Sequence, residues 1–205
     1  MPTSCDVCLP LHHLLEAPRK RNWLFTLDRA CRITYVEHKG KLKKQLIFTN
    51  FIPEVIYVPE HCSATTIHYI QKENIGSKHV VFEVEKIMHL KSILNYYKEH
   101  DFQYAPDDAD LGVNDLEKLT YLEPKIVKLT RKYVSGVAVD TVKQHIARSL
   151  LHVADQMGAR ALTEGVERKA DITYLQKTGY TLFQGYFLAR PQADRVKVLP
   201  DDVHV

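Results

Sequence analysis

The chain has 205 residues, 45% of them hydrophobic and 26% charged, and a formal net charge of +3. This is enough chain for one sizeable core and one domain, with the balance of an ordinary soluble globular protein. So small a net charge gives no argument for DNA, RNA or an acidic membrane as a partner, and no apolar run approaches the ~20 residues of a membrane span.

Residues 1–23 read as an N-terminal segment apart from the rest. It lacks the basic stretch, apolar stretch and small-residue cleavage site of a secretory signal, so a cytoplasmic protein is expected. Its cysteines, with Cys31 and Cys62, are then expected as thiols. Cys5-x-x-Cys8, with His12 and His13 nearby, offers ligand types that zinc prefers. No second Cys-x-x-Cys completes a tetrahedral set, and two free thiols are the plainer reading. The basic clusters Arg19–Arg21 and Lys41, Lys43, Lys44 read as solvated faces.

From there short β-branched runs alternate with longer amphipathic stretches. Leu46–Thr49 reads as a buried strand and residues 60–74 as a helix. His79–Val84 is a strand, and residues 87–99 a helix with Ile87, Leu90, Ile93, Leu94 and Tyr97 on one face. Phe102–Ala105 is a short strand stopped by Pro106, and Lys125–Leu129 is another strand. The clearest helix covers residues 139–157, with Val142, Ile146, Leu150, Val153 and Met157 on one face and Gly158 as its stop. Arg160–Thr163 is a strand, residues 168–178 a helix closed by Gly179, and Leu182 and Phe183 begin a last strand. Strand and helix in repetition imply an α/β fold, with parallel strands and helices outside. With a single crossover hand such repeats form an open sheet or close into a barrel.

Reactive groups of an α/β barrel collect at the carboxyl ends of its strands. Asn50, Glu83, Asp107, Asp108, Lys128, Glu164 and Gln184 all fall at or near such ends. Each alone reads as a helix cap or a solvated loop residue. Their recurrence at successive strand ends points instead to a site: oxygen ligands for a hard cation, and a cation for developing charge.

Ala161–Glu167 reads Ala-Leu-Thr-Glu-Gly-Val-Glu, and Leu182–Pro191 reads Leu-Phe-Gln-Gly-Tyr-Phe-Leu-Ala-Arg-Pro. This pair, about 20 residues apart, resembles the carboxyl-terminal signature of EAL domains, the fold of the bacterial cyclic-di-GMP phosphodiesterases. Other segments agree in order: Phe48–Pro53 with Tyr57–Cys62, Phe82–Glu85, Asp107-Asp108, Lys128–Thr130 and Leu27–Arg32. The match covers roughly residues 24–195, so that residues 24–205 are read as the EAL domain.

The resemblance implies a TIM-barrel-like fold and hydrolysis of one phosphodiester bond of cyclic-di-GMP to the linear dinucleotide, with two Mg²⁺ or Mn²⁺ ions. It implies Asn50, Glu83, Asp107, Asp108 and Glu164 as metal ligands and Lys128 and Glu164 as catalytic residues. Lys128 would position or deprotonate the attacking water. Gln184 would sit at the metal and substrate site, Arg190 belongs to the motif as a binding residue or else caps a helix or meets solvent, and Glu167 would hold the Glu164 region in place.

The chain also departs from the family. The Glu-Ala-Leu motif that precedes the Asp28 helix is absent, so the barrel is expected to be incomplete, its first strand missing. Glu16-Ala17-Pro18 lies too near Asp28 to replace it. The second glutamate of the "ExxE" pair is displaced at Glu85, Asp110 stands where the "DDFGxG" loop has a glycine, and Thr130 replaces the aspartate of "KLD". These changes remove metal ligands and supporting charge. Mg²⁺ or Mn²⁺ binding is expected to be weakened or lost. The function expected is a catalytically impaired regulatory or binding module in cyclic-di-GMP signalling; the alternative is an active Mg/Mn-dependent phosphodiesterase. Cyclic-di-GMP and a protein are the candidate partners, and a homodimer is the assembly suggested by the family.

Overall fold

The computed structural model describes residues 23–39, 46–51, 59–84, 91–106, 119 and 122–190. Helix α1 (Leu24–Lys39) leads into β1 (Ile47–Phe51), then α2 (Pro59–Lys72), β2 (Val80–Val84), α3 (Lys91–Glu99) and β3 (Gln103–Pro106). The second half runs β4 (Ile126–Leu129), α4 (Arg131–Val134), α5 (Thr141–Gln156), β5 (Arg160–Thr163), α6 (Lys169–Thr178) and β6 (Leu182–Phe183). The expected alternation is thus present. Pro106, expected to stop the third strand, is its last residue and sits level with Val84 of β2.

The strands form two three-stranded parallel sheets, β1-β2-β3 and β4-β5-β6. β3 and β4 lie side by side, so the order in space follows the order in sequence. This is the wall of an α/β barrel with six strands among the described residues, where a closed barrel of this type has eight. Among those residues nothing pairs with the outer edge of β1 or of β6.

Alternation along each strand sorts the side chains between two surfaces. Val80, Phe82 and Val84 of β2 point outward into a core shared with Val36 of α1, Ile67 and Ile70 of α2 and Tyr97 of α3. Phe82 stacks on Tyr97, ring centroids 4.3 Å apart. Val127 and Leu129 of β4 enter a second outer core with Ala147, Leu150 and Ala154 of α5 and Ile172 and Leu175 of α6. The other set, Val81, Ala105, Ile126 and Leu162, faces inward into the lumen with Leu46, Phe48 and Leu182 beside it.

The expected face of α5 is present in part: Leu150 is buried and Ile146 and Met157 pack against the core, while Val142 is 65% exposed and Ala147 and Ala154 are buried beside them. Two alanines bring the helix backbone close to the sheet, and that face was hidden by the larger residues flanking it. The amino end of α5 is fixed by Asp140, whose carboxylate accepts the N–H groups of Val142 and Lys143. Gly179 closes α6 at φ +117°, a conformation natural to glycine. No described helix is long and apolar enough to cross a membrane.

Candidate functional site

All four residues of β4 are buried, including Lys128. Period two puts Lys128 on the lumen side with Ile126. An ammonium is costly to bury unless it is paired. Lys128 Nζ, whose side chain is 2% exposed, lies 2.7 Å from Glu83 Oε1 and 2.8 Å from Glu164 Oε1. Burial alone would lower the pKa of Lys128, but the charges and hydrogen bonds of Glu164 and Glu83 overcome it and raise the pKa above the usual lysine value. The side chain is a held cation bridging two carboxylates from opposite halves of the wall.

Three strand ends supply this group: Glu83 from β2, Lys128 from β4 and Glu164 one residue beyond β5. Asn50 is the register partner of Glu83 across the β1–β2 ladder and is exposed. Gln184 follows β6; its N–H donates to Thr163 O at 2.8 Å and its carbonyl accepts the Val166 N–H at 3.0 Å. Glu83 and Gln184 both line a cavity of about 760 Å³ in the lumen. The structure therefore brings Glu83, Lys128 and Glu164 into contact, with Asn50 and Gln184 at the same end of the wall. Arg190 is exposed, its guanidinium 4.9 Å over the ring of Tyr186. Asp107, Asp108, Asp110, Glu85, Glu16, Cys5 and Cys8 lie outside the described residues.

The two carboxyl-terminal motifs interlock through backbone. Phe187 N–H donates to Val166 O at 3.0 Å, next to the Val166–Gln184 bond. A Cβ on Gly185 would sit 2.2 Å from Val166 O and 2.3 Å from Val166 N, so only glycine fits. Gly165 has φ +67°, and a Cβ there would lie 2.6 Å from Arg131 Cβ. Glu167 meets Arg131 Nη2 at 3.0 Å, tying the turn after β5 to α4.

One anchor of this region went unread in the sequence. Asp171, in the first turn of α6 and 1% exposed, accepts the N–H groups of Gly136 and Ala138 at 3.1 and 3.0 Å. It also accepts Arg168 Nε at 2.8 Å. Burial would raise its pKa, but the Arg168 pairing and the two backbone donors outweigh that and hold it below the usual carboxylate range. An acid in a first turn is an ordinary complement to the helix dipole; nothing in the local sequence reveals that it clasps the loop after α4.

Glu83 and Glu164 offer the hard oxygens that Mg²⁺ or Mn²⁺ takes. Both are ion-paired to Lys128, so positive charge already lies between them. Among the described residues no three His, Cys, Asp or Glu side chains converge as a metal-holding group. The described residues alone do not fit a divalent-cation centre. Thr130, beside Lys128, is half-buried with its Oγ1 out of solvent and without a hydrogen-bond partner among the described residues.

A parallel α/β wall with a Lys-centred carboxylate pair at its strand ends, next to interlocked Glu-Gly-Val-Glu and Gln-Gly-Tyr turns, defines an EAL-type barrel. The sequence matches the EAL domain over residues 9–191, and the chain belongs to that family. It is similar to a standalone EAL protein of Vibrio cholerae O395 solved in a c-di-GMP bound form: TM-score 0.77 and 30% identity over 85% of this chain and 77% of that one. Klebsiella pneumoniae BlrP1, solved as a manganese/cy-diGMP complex, shares the fold at TM-score 0.75 and 22% identity, over 82% of this chain and 45% of that one. A probable cyclic di-GMP phosphodiesterase of Escherichia coli K12, PdeA, is 25% identical over 149 residues, covering 70% of this chain and 20% of that protein. The chain spans between a fifth and about a quarter of the length of the first curated relatives it matches.

Proposed function

We propose that the chain is a catalytically impaired EAL domain that serves as a regulatory or binding module in cyclic-di-GMP signalling in the bacterial cytoplasm. The observation that carries this reading is the Lys128 bridge. Both described carboxylates that would hold metal are engaged by a buried ammonium. Thr130 stands for a carboxylate as well, so the charge that attracts two divalent cations is depleted on both counts. Metal binding is weakened or lost, and with it the activation of a water.

Recognition of the dinucleotide needs less. Glu83 and Gln184 border the same cavity, with Lys128 charged between the carboxylates and Asn50 at the same strand end. Amide, carboxylate and ammonium groups suit the polar edges of a guanine and the charge of a phosphodiester. The Vibrio cholerae relative, at 30% identity, is a c-di-GMP bound form, which supports the nucleotide as ligand.

The test is incubation of purified protein with cyclic-di-GMP and excess Mn²⁺, followed by chromatography. The nucleotide is expected to be recovered uncleaved. Linear product that disappears in Glu164→Ala and Lys128→Ala variants would establish the alternative, an active metal-dependent phosphodiesterase.

A further inference from the structure

The lumen cavity has a second end. Lys78 and His79 immediately precede β2, Gln103 opens β3 and Arg160 opens β5, and all four line the same cavity as Glu83 and Gln184. These are the amino ends of the strands, opposite the site described above. From His79 to Glu83 is four residues of strand, a span of about 13 Å at the usual rise.

The two ends differ in charge. At the carboxyl end the described cation is bridged to carboxylates. At the amino end the described lining holds Lys78, Arg160 and the imidazole of His79 and no acid. Among the described residues neither Lys78 nor Arg160 forms an ion pair. Gln103 Nε2 donates to the Lys78 carbonyl, which fixes the backbone of this rim. Between the ends the described wall is apolar: Phe48 of β1, Leu162 of β5 and Leu182 of β6.

Two unpaired cations on one rim create a positive potential that an anion relieves, and an apolar belt behind them favours a hydrocarbon or aromatic body. The volume of about 760 Å³ lies within the range of small-ligand cavities, roughly 300–1,000 Å³. We infer that the amino-terminal mouth of the lumen binds a small amphipathic anion, its carboxylate or phosphate head between Lys78 and Arg160 and its apolar body against Phe48, Leu162 and Leu182. This site is the opposite end of the cavity that Glu83 and Gln184 border, and it does not depend on the reading given for those residues.

The experiment is calorimetric titration of the full chain with decanoate, decyl phosphate and decanol, all below their aggregation concentrations. Both anions are expected to bind at about one per chain, with affinity falling as salt is raised. Comparison of the two heads separates a carboxylate ligand from a phosphate one. A Lys78→Gln/Arg160→Gln variant changes only exposed side chains; it should lose about tenfold or more in affinity for the anions while decanol binding stays the same. Leu182→Trp, which fills the apolar belt, should weaken all three. Equal anion affinity in wild type and the double variant overturns the proposal. So does binding of many molecules per chain, or absence of anion binding to wild-type protein that melts cooperatively.

Discussion

Replacing Lys128 with methionine isolates the bridge on which the site rests. Methionine keeps the length and apolar stem of lysine and removes the ammonium. Two charge-assisted contacts are lost, 2.7 Å to Glu83 and 2.8 Å to Glu164, each worth about 1.5–3 kcal/mol. The gain is release from burying an ammonium whose side chain is 2% exposed. The carboxylates, 12% and 21% exposed, recover part of their hydration. A net loss of about 2–4 kcal/mol is expected, toward the low side of what breaking a buried pair costs. Urea denaturation at neutral pH of wild type, Lys128→Met, Glu83→Gln and the double variant measures it. The double variant should be more stable than the sum of the singles implies, by at least about 1 kcal/mol. Additive effects, or a Lys128→Met variant within about 0.5 kcal/mol of wild type, would refute the bridge as an energetic unit.

Asp171→Asn removes a carboxylate held below the usual range by Arg168 and two backbone donors, and should cost about 1–3 kcal/mol at neutral pH. A depressed folded pKa gives stability that is present above the unfolded value of about 3.9 and is lost as pH falls through the folded value. The variant's deficit, read from melting temperatures across an acid series, should therefore shrink below about pH 4. Gly185→Ala places a Cβ against the Val166 backbone and should cost more than about 3 kcal/mol or abolish folding, visible as lost cooperativity in a thermal melt. Tyr180→Phe deletes the hydroxyl that donates to Ala147 O at 2.8 Å and should cost about 1 kcal/mol by urea denaturation, where no change would show that bond to be idle.

The wall of the barrel was legible because its strands are short apolar runs bounded by helices, and period two then settles which side chains face the lumen. Thus Glu83 and Lys128 were placed at strand ends from sequence alone, and the structure puts them in contact. That contact itself was not legible: Glu83 and Lys128 are separated by two intervening stretches of chain, and only the curvature of the wall brings them together. The glycines of the carboxyl-terminal motifs were visible as a pattern, whereas the reason for Gly185 is an approach to Val166 that only the folded backbone shows. The α5 face was legible at Leu150, Ile146 and Met157 but not at Ala147 and Ala154, which are fully buried, because alanine carries little apolar signal. Asp171 was passed over because its partners lie 33 and 35 residues earlier.

The most direct test of the proposed function is calorimetric titration of the purified chain with cyclic-di-GMP in Mg²⁺ or Ca²⁺, followed by chromatography of the nucleotide from the cell. Saturable heat with the dinucleotide recovered intact is the expected result, that of a site that recognises its ligand without cleaving it. Recovery of the linear dinucleotide would contradict it and direct attention to a metal ligand outside the Lys128 bridge.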